Sequence, residues 1–308
     1  MILNWAKDVH SWRRNKLQDS KAGDKMTEFQ HASISTFIAK LEQCWQLDKF
    51  VCVGLDPEYT RLPEAVKASH SIEDALFVFA HDIIDATHDL VCAYKPNIAF
   101  YEALGDEGLQ ALNRTVRYIK ECYPHISIIL DAKRADIGNT NVGYVTSAFD
   151  WLGVDAITVH PYLGKEALSP FLARQEKGII VLAKTSNPGS SEFQNLPVGE
   201  AREPLYQVVA RSVAQSWNTN GNCGLVVGAT YPSELKRVRE IVGDMPLLIP
   251  GIGAQGGDVA ATVKAGRDSR GWGMIINSSR SIIYASKGED FAQAARRAVL
   301  DLNAEINA

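Results

Sequence analysis

From residue 50 onward one pattern repeats eight times: a short run of Val, Ile and Leu closes on a polar or Gly/Pro turn, and a longer segment of helical periodicity follows. The runs are FVCVGLDP (50–57), VCAYKPN (91–97), ISIILDAK (126–133), AITVHPY (156–162), GIIVLAKTS (178–186), GLVVGAT (224–230), PLLIPGIG (246–253) and GMIINSS (273–279). Apolar residues on consecutive positions are what a strand covered on both faces requires. Between the runs lie segments such as SIEDALFVFAHDIIDATHDL (71–90) and EPLYQVVARSVAQSW (203–217), whose apolar residues recur at helical spacing. Strands that alternate with helices, with no two strands joined by a tight hairpin, predict an α/β chain folded as a single-domain (β/α)8 TIM barrel. A doubly wound open sheet is the alternative. No G-x-G-x-x-G follows the first run, which counts against the dinucleotide-binding form of that sheet.

Size and charge fit one barrel. The 308 residues, 46% of them hydrophobic, supply enough apolar material for one large core without a disulfide or structural metal. The formal net charge of −4 disfavours general nucleic-acid binding or attachment to an anionic membrane, so an anionic ligand should be held in a local pocket. No apolar segment reaches the ~18 residues needed to span a bilayer. The five cysteines are scattered, with no C-x-x-C pair, and are expected to be buried, reduced thiols of a cytoplasmic protein.

Residues 1–25 differ from the rest. They hold nine charged side chains and no apolar core of a secretory signal, and read as a polar, poorly ordered extension. A transit peptide is the second reading, disfavoured by Asp8, Asp19 and Asp24. The barrel domain is then expected over 26–308, and without the extension its net charge would be −7.

In a barrel of this kind chemistry sits at the C-terminal ends of the strands. Those ends carry Asp56, Lys95, Asp131 with Lys133, His160, Thr185 with Ser186, and then Gln255 and Arg280. Asp131 and Lys133 lie two apart on a strand and should face the barrel mouth together. Lys95 ends the neighbouring strand, and Asp136 follows on the loop or first helical turn. The result is an alternating array: Lys95, Asp131, Lys133, Asp136. Such an array is a poor device for stability alone, because desolvation offsets much of its Coulomb gain. PGIGAQGGD (250–258), whose glycines allow backbone N–H groups to approach an anion, and Arg280 follow the last two strands, where barrels commonly bind phosphate. The polar stretch from Asn187 to about Glu203 has the length and composition of a lid, expected to close when phosphate binds.

The motif D-x-K-x-x-D, here Asp131-Ala-Lys133-Arg-Ala-Asp136 with Ile137 and Thr140 behind it, resembles that of the orotidine 5′-phosphate decarboxylase family. GLDP (54–57), YKPN (94–97), TSNPGS (185–190), PGIGAQGGD and SRSIIYA (residues 279–285, with Arg280) stand in the family's order, and the KTSNPG form resembles a bacterial subgroup with a larger chain. The resemblance runs from about residue 33 to the end. It implies decarboxylation of orotidine 5′-monophosphate (OMP) to uridine 5′-monophosphate (UMP), with no metal and no organic cofactor.

In that resemblance the catalytic residues are Lys133, Asp131, Asp136 and Lys95. Lys133 protonates C6 of the pyrimidine, and Asp131 lies beside the departing carboxylate. Asp56 contacts ribose hydroxyls together with Lys95. Ser186 bonds the pyrimidine, Pro250 packs against it, and Gln255 and Arg280 hold the phosphate. Asp136, Ile137 and Thr140 reach the neighbouring subunit's site, which implies a homodimer with composite sites. His160 and Lys184 have no family role and are expected to pack or pair. Ser279 stands where the family commonly has Gly. Two other functions share features of this sequence: a metal-dependent sugar-phosphate decarboxylase or aldolase with the same D-x-K-x-x-D, and a silent nucleotide-binding barrel. Lys95 stands where the first would place an acidic Mg²⁺ ligand, and the second has no need of a lysine between carboxylates.

Overall fold

The structure, a computed structural model, describes residues 36–68, 71–252 and 257–308. The extension over 1–25, the boundary at 26 and Gln255 lie outside these. Each of the eight apolar runs contains a strand: β1 (Val51–Leu55), β2 (Ala93–Pro96), β3 (Ser127–Arg134), β4 (Ala156–Val159), β5 (Gly178–Lys184), β6 (Cys223–Val227), β7 (Leu247–Pro250) and β8 (Met274–Ser278). All neighbours pair in parallel, and β8 returns to β1 with Val51 opposite Ile276, so the sheet is a closed barrel. The open-sheet alternative is set aside.

Every residue of β1, β6 and β8 is buried, which accounts for the unbroken apolar runs. The first helix, α1 (Phe37–Trp45), is capped by Thr36, whose hydroxyl accepts from the Ala39 N–H. It crosses the end of the barrel at which the strands begin. Trp45 Nε1 donates to the Met274 carbonyl at 2.8 Å, and Lys40 pairs with Asp155 at 2.9 Å. Around the wall run α2 (Ile72–Thr87), capped by Ser71, and the strongly amphipathic α3 (Gly105–Cys122). Then come α4 (Gly138–Val145), α5 (Leu205–Ser212), α6 (Pro232–Val242), α7 (Val259–Gly266) and α8 (Phe291–Ile306). After β4, two four-residue helical turns at 164–167 and 169–172 take the place of a full helix.

One expectation gains detail and one needs correction. The 187–203 stretch contains a small antiparallel ribbon, Pro197–Val198 against Glu203–Pro204, turned by Gly199 and Arg202 in left-handed conformations. Four cysteines are buried, but Cys122, at the end of α3 where the helix faces solvent, is exposed; all five are free thiols. No helix among the described residues is long and apolar enough to cross a membrane.

Candidate active site

At the C-terminal end of the barrel lies a cavity of about 500 Å³. Its wall includes Asp56, Lys95, Asp131, Lys133, Ser186, Pro250 and Arg280. Seven of the residues expected at the site therefore meet in one place.

Asp131 is the hub. Its Oδ2 accepts from Lys95 Nζ at 3.1 Å, and its Oδ1 from Lys133 Nζ at 2.6 Å and from the Thr158 hydroxyl at 2.9 Å. Burial alone would raise the Asp131 carboxyl, but the two ammonium groups and the Thr158 hydrogen bond hold it well below the usual carboxylate range. Burial alone would lower Lys95; the Asp56 and Asp131 carboxylates outweigh it and hold the ammonium above the ordinary lysine value. Both groups are thus charged at neutral pH. The Lys95 side chain is only 5% exposed, whereas that of Lys133 is 49% exposed and free to meet a ligand.

Lys133 reaches this place through an irregular backbone. Its φ is +47°, in the left-handed region, and the β3–β4 register shifts between Leu130 and Arg134. Thr158 bridges the break, its hydroxyl oxygen accepting the N–H groups of Ala132 and Lys133 at 3.0 Å each. One hydroxyl fixes the strand, the general acid candidate and the carboxylate at once. Sequence reading by strand ends passed over Thr158, yet it lies two residues before His160 on an otherwise apolar strand. By alternation it belonged to the interior set. His160 itself does not line the cavity. Asn277, also unforeseen, lines it and donates to the Cys52 carbonyl at 3.1 Å.

The array is three residues within one chain, where four were expected. Asp136 does not join it: the backbone turns away after Lys133, and the Asp136 carboxylate accepts from the Ile137 N–H at 2.7 Å. Asn141 fixes that turn, accepting from the Asp136 N–H at 2.8 Å. Ile137 is 60% exposed, Thr140 is exposed and Asp136 is half-buried, and none of the three lines this chain's cavity.

On the opposite wall Arg280 opens a short helical turn after β8, and Gly251, at φ +102°, ends β7 in a conformation that favours glycine. Ser279 has φ −122°, so this position needs no glycine. Its side chain occupies space left by Gly54: a Cβ at residue 54 would stand 2.6 Å from Ser279 Cβ. Asp56 accepts from the Asn97 N–H at 3.2 Å, which orients it beside Lys95. Among the described residues no cluster of three or more His, Cys, Asp or Glu side chains is placed to hold a metal.

Fold and site together define a barrel enzyme whose mouth sets a lysine–aspartate–lysine cluster opposite an arginine. The chain belongs to the orotidine 5′-phosphate decarboxylase / HUMPS family, whose model matches residues 49–298. Among curated relatives, the orotidine 5′-phosphate decarboxylase of Janthinobacterium sp. (strain Marseille) is 53% identical over 273 residues, covering 88% of this chain and 98% of that one. That of Azoarcus sp. (strain BH72) is 52% identical over 274 residues, with the same coverage. The solved structure of Leishmania donovani OMP decarboxylase superposes with a TM-score of 0.75 at 38% identity, over 89% of this chain and 99% of that one. Leishmania donovani UMP synthase gives 0.76 at 40% identity; there the match covers 89% of this chain but only 57% of the larger protein.

Proposed function

We infer that this chain is an orotidine 5′-phosphate decarboxylase, converting OMP to UMP and CO₂ in pyrimidine biosynthesis. One observation supports the chemistry above all others. Lys133 Nζ lies 2.6 Å from an Asp131 carboxylate whose other oxygen is held by Lys95, in a cavity that also takes in Arg280.

In the proposed reaction the bond between C6 and the carboxylate carbon breaks, CO₂ departs, and the electron pair stays on C6. Lys133 gives its proton to C6 and is reprotonated from solvent. Until then its ammonium stabilises the charge accumulating at that carbon, a preorganised electrostatic role. Asp131 lies beside the substrate carboxylate, where like charges disfavour the ground state, and keeps Lys133 in position. Arg280 takes the phosphate, with Gln255 over it. Ser186 and Pro250 contact the pyrimidine, and Asp56 with Lys95 the ribose hydroxyls. No metal or cofactor takes part in these steps. In the metal-dependent alternative a cation would sit where the Lys95 ammonium already lies 3.1 Å from Asp131.

The test is direct. Purified protein in excess chelator is expected to bleach the pyrimidine absorbance of OMP at its full rate. Loss of activity in chelator with recovery on added Mg²⁺ would point to the metal-dependent class.

The position of Asp136, Ile137 and Thr140 outside this chain's cavity supports a homodimer in which each chain completes its neighbour's site; exposed Val142 and Leu163 add apolar surface nearby. Free thiols throughout suit a reducing, cytoplasmic setting. Composite sites have a quantitative signature. Lys133→Ala and Asp136→Ala proteins, each inactive, are mixed under conditions that exchange subunits. Half the dimers become hybrids with one intact site each, so activity should rise to about a quarter of wild type. Mixing that restores nothing would mean each chain builds its own site.

A further inference from the structure

Two lysines are buried among the described residues, Lys95 and Lys184. The first has a role in the cavity. The second, fully buried at the end of β5, has no carboxylate partner among the described residues. Its ammonium donates to Ser190 Oγ and to Asn195 Oδ1, each at 3.0 Å, and lies 4.6 Å from the centre of the Tyr231 ring. An ammonium has three N–H donors, and two oxygens and one ring face take all three. Burying a charge against neutral partners is costly, and an apolar side chain would fill the same space at less cost. The ammonium does what an apolar side chain would not: it ties residues six and eleven positions further on to the strand end.

The local backbone fits this use. The β5–β6 register shifts between Leu182 and Lys184. Such a bulge re-aims side chains. Leu182, Thr185 and Ser186 line the cavity, while Lys184 does not. A second tie runs in parallel: Gln194 accepts from the Thr185 N–H at 2.9 Å and donates to the Thr185 hydroxyl at 2.8 Å. The 187–195 loop is thereby fastened at two points to the strand end that presents Ser186.

We propose that Lys184 is a positioning residue, whose ammonium clasps the 187–195 loop onto β5 and so holds Ser186 against the pyrimidine end of the ligand. The ligand's identity rests on the function proposed above. The phosphate end, at Arg280 on the far wall, does not depend on the clasp.

Lys184→Met and the loop double variant Ser190→Ala/Asn195→Ala are compared with wild type by calorimetric binding of UMP and of ribose 5-phosphate. Amide hydrogen exchange is followed in parallel. UMP should bind about tenfold more weakly to both variants, the size of one lost hydrogen bond to an ordered ligand. Ribose 5-phosphate should bind within about twofold of wild type. Faster exchange should be confined to residues 186–196.

Unchanged UMP affinity and exchange would overturn the proposal. So would equal weakening of both ligands with protection lost across the barrel, since that is the signature of a packing residue. If Lys184→Met does not fold, the double variant decides alone, because its changes lie on the loop. If wild-type protein fails to bind UMP, the functional reading falls, and the exchange comparison still decides whether the clasp exists.

Discussion

Lys133→Ala is expected to lower OMP turnover by about 10⁵-fold, combining the ~10²–10⁴ of a positioned general acid with the ~10²–10³ of a preorganised charge. UMP affinity should stay within about tenfold, because the phosphate and base contacts proposed for Arg280, Ser186 and Pro250 lie on other strands. The fold should barely respond. The Lys133 side chain is half exposed, and Asp131 keeps both Lys95 and Thr158 as partners. Product formation under single-turnover conditions, beside a thermal melt of the same sample, reads both effects. A loss of less than about a hundredfold would remove Lys133 from the proton-donor role.

Asp131→Asn should strike stability as well as rate. Its side chain is 12% exposed and neutralises an ammonium buried more deeply still. Removing one partner of such a pair costs about 3–5 kcal/mol. For a barrel of this size that is a fall in Tm on the order of 10 °C. The pH dependence has a definite sign. The native carboxyl is held below its ordinary value, so its contribution to stability is complete above about pH 5 and is lost as pH falls through the native value. The gap between wild type and variant should therefore be constant from about pH 5 to 9 and narrow progressively below about pH 4. Denaturant melts at a series of pH values measure it. A gap that widened on acidification would mean that Asp131 is not held in its charged form by the two lysines.

The barrel was legible in the sequence because its strands are covered on both faces, and such strands leave short apolar runs that close on polar or Gly/Pro turns, a pattern repeated eight times. Strand ends were legible too, since polar residues at the close of VCAYKPN or ISIILDAK have few other places to go. The geometry beyond those ends was harder to read. Alternation placed Asp131 and Lys133 on one side, and they do meet. The contact, however, is made across a break in the strand, with Lys133 in a left-handed conformation that nothing about a lysine announces.

Beyond the same break Asp136 lies outside the cavity lining, so an array that looks continuous along the sequence is divided in space. Lys184 gave the opposite lesson. It ends a strand but was expected only to pack or pair; a one-residue register shift keeps it out of the cavity lining, and it pairs with Ser190 and Asn195. Such shifts depend on how neighbouring strands pair, and a single strand's sequence does not record them.

Gly54 and Ser279 meet where the last strand closes on the first, and neither can be judged alone. The serine is permitted because the residue across the seam has no side chain, and the glycine is required because the serine fills that gap. The two positions are therefore sterically coupled. Glycine at 279 would remove the closest clash at 54 and leave the Asp56 carboxylate, 3.2 Å from a Cβ there, as the nearest group. Relatives that differ at one of these positions should therefore be compared at both before their cavities are taken as equivalent.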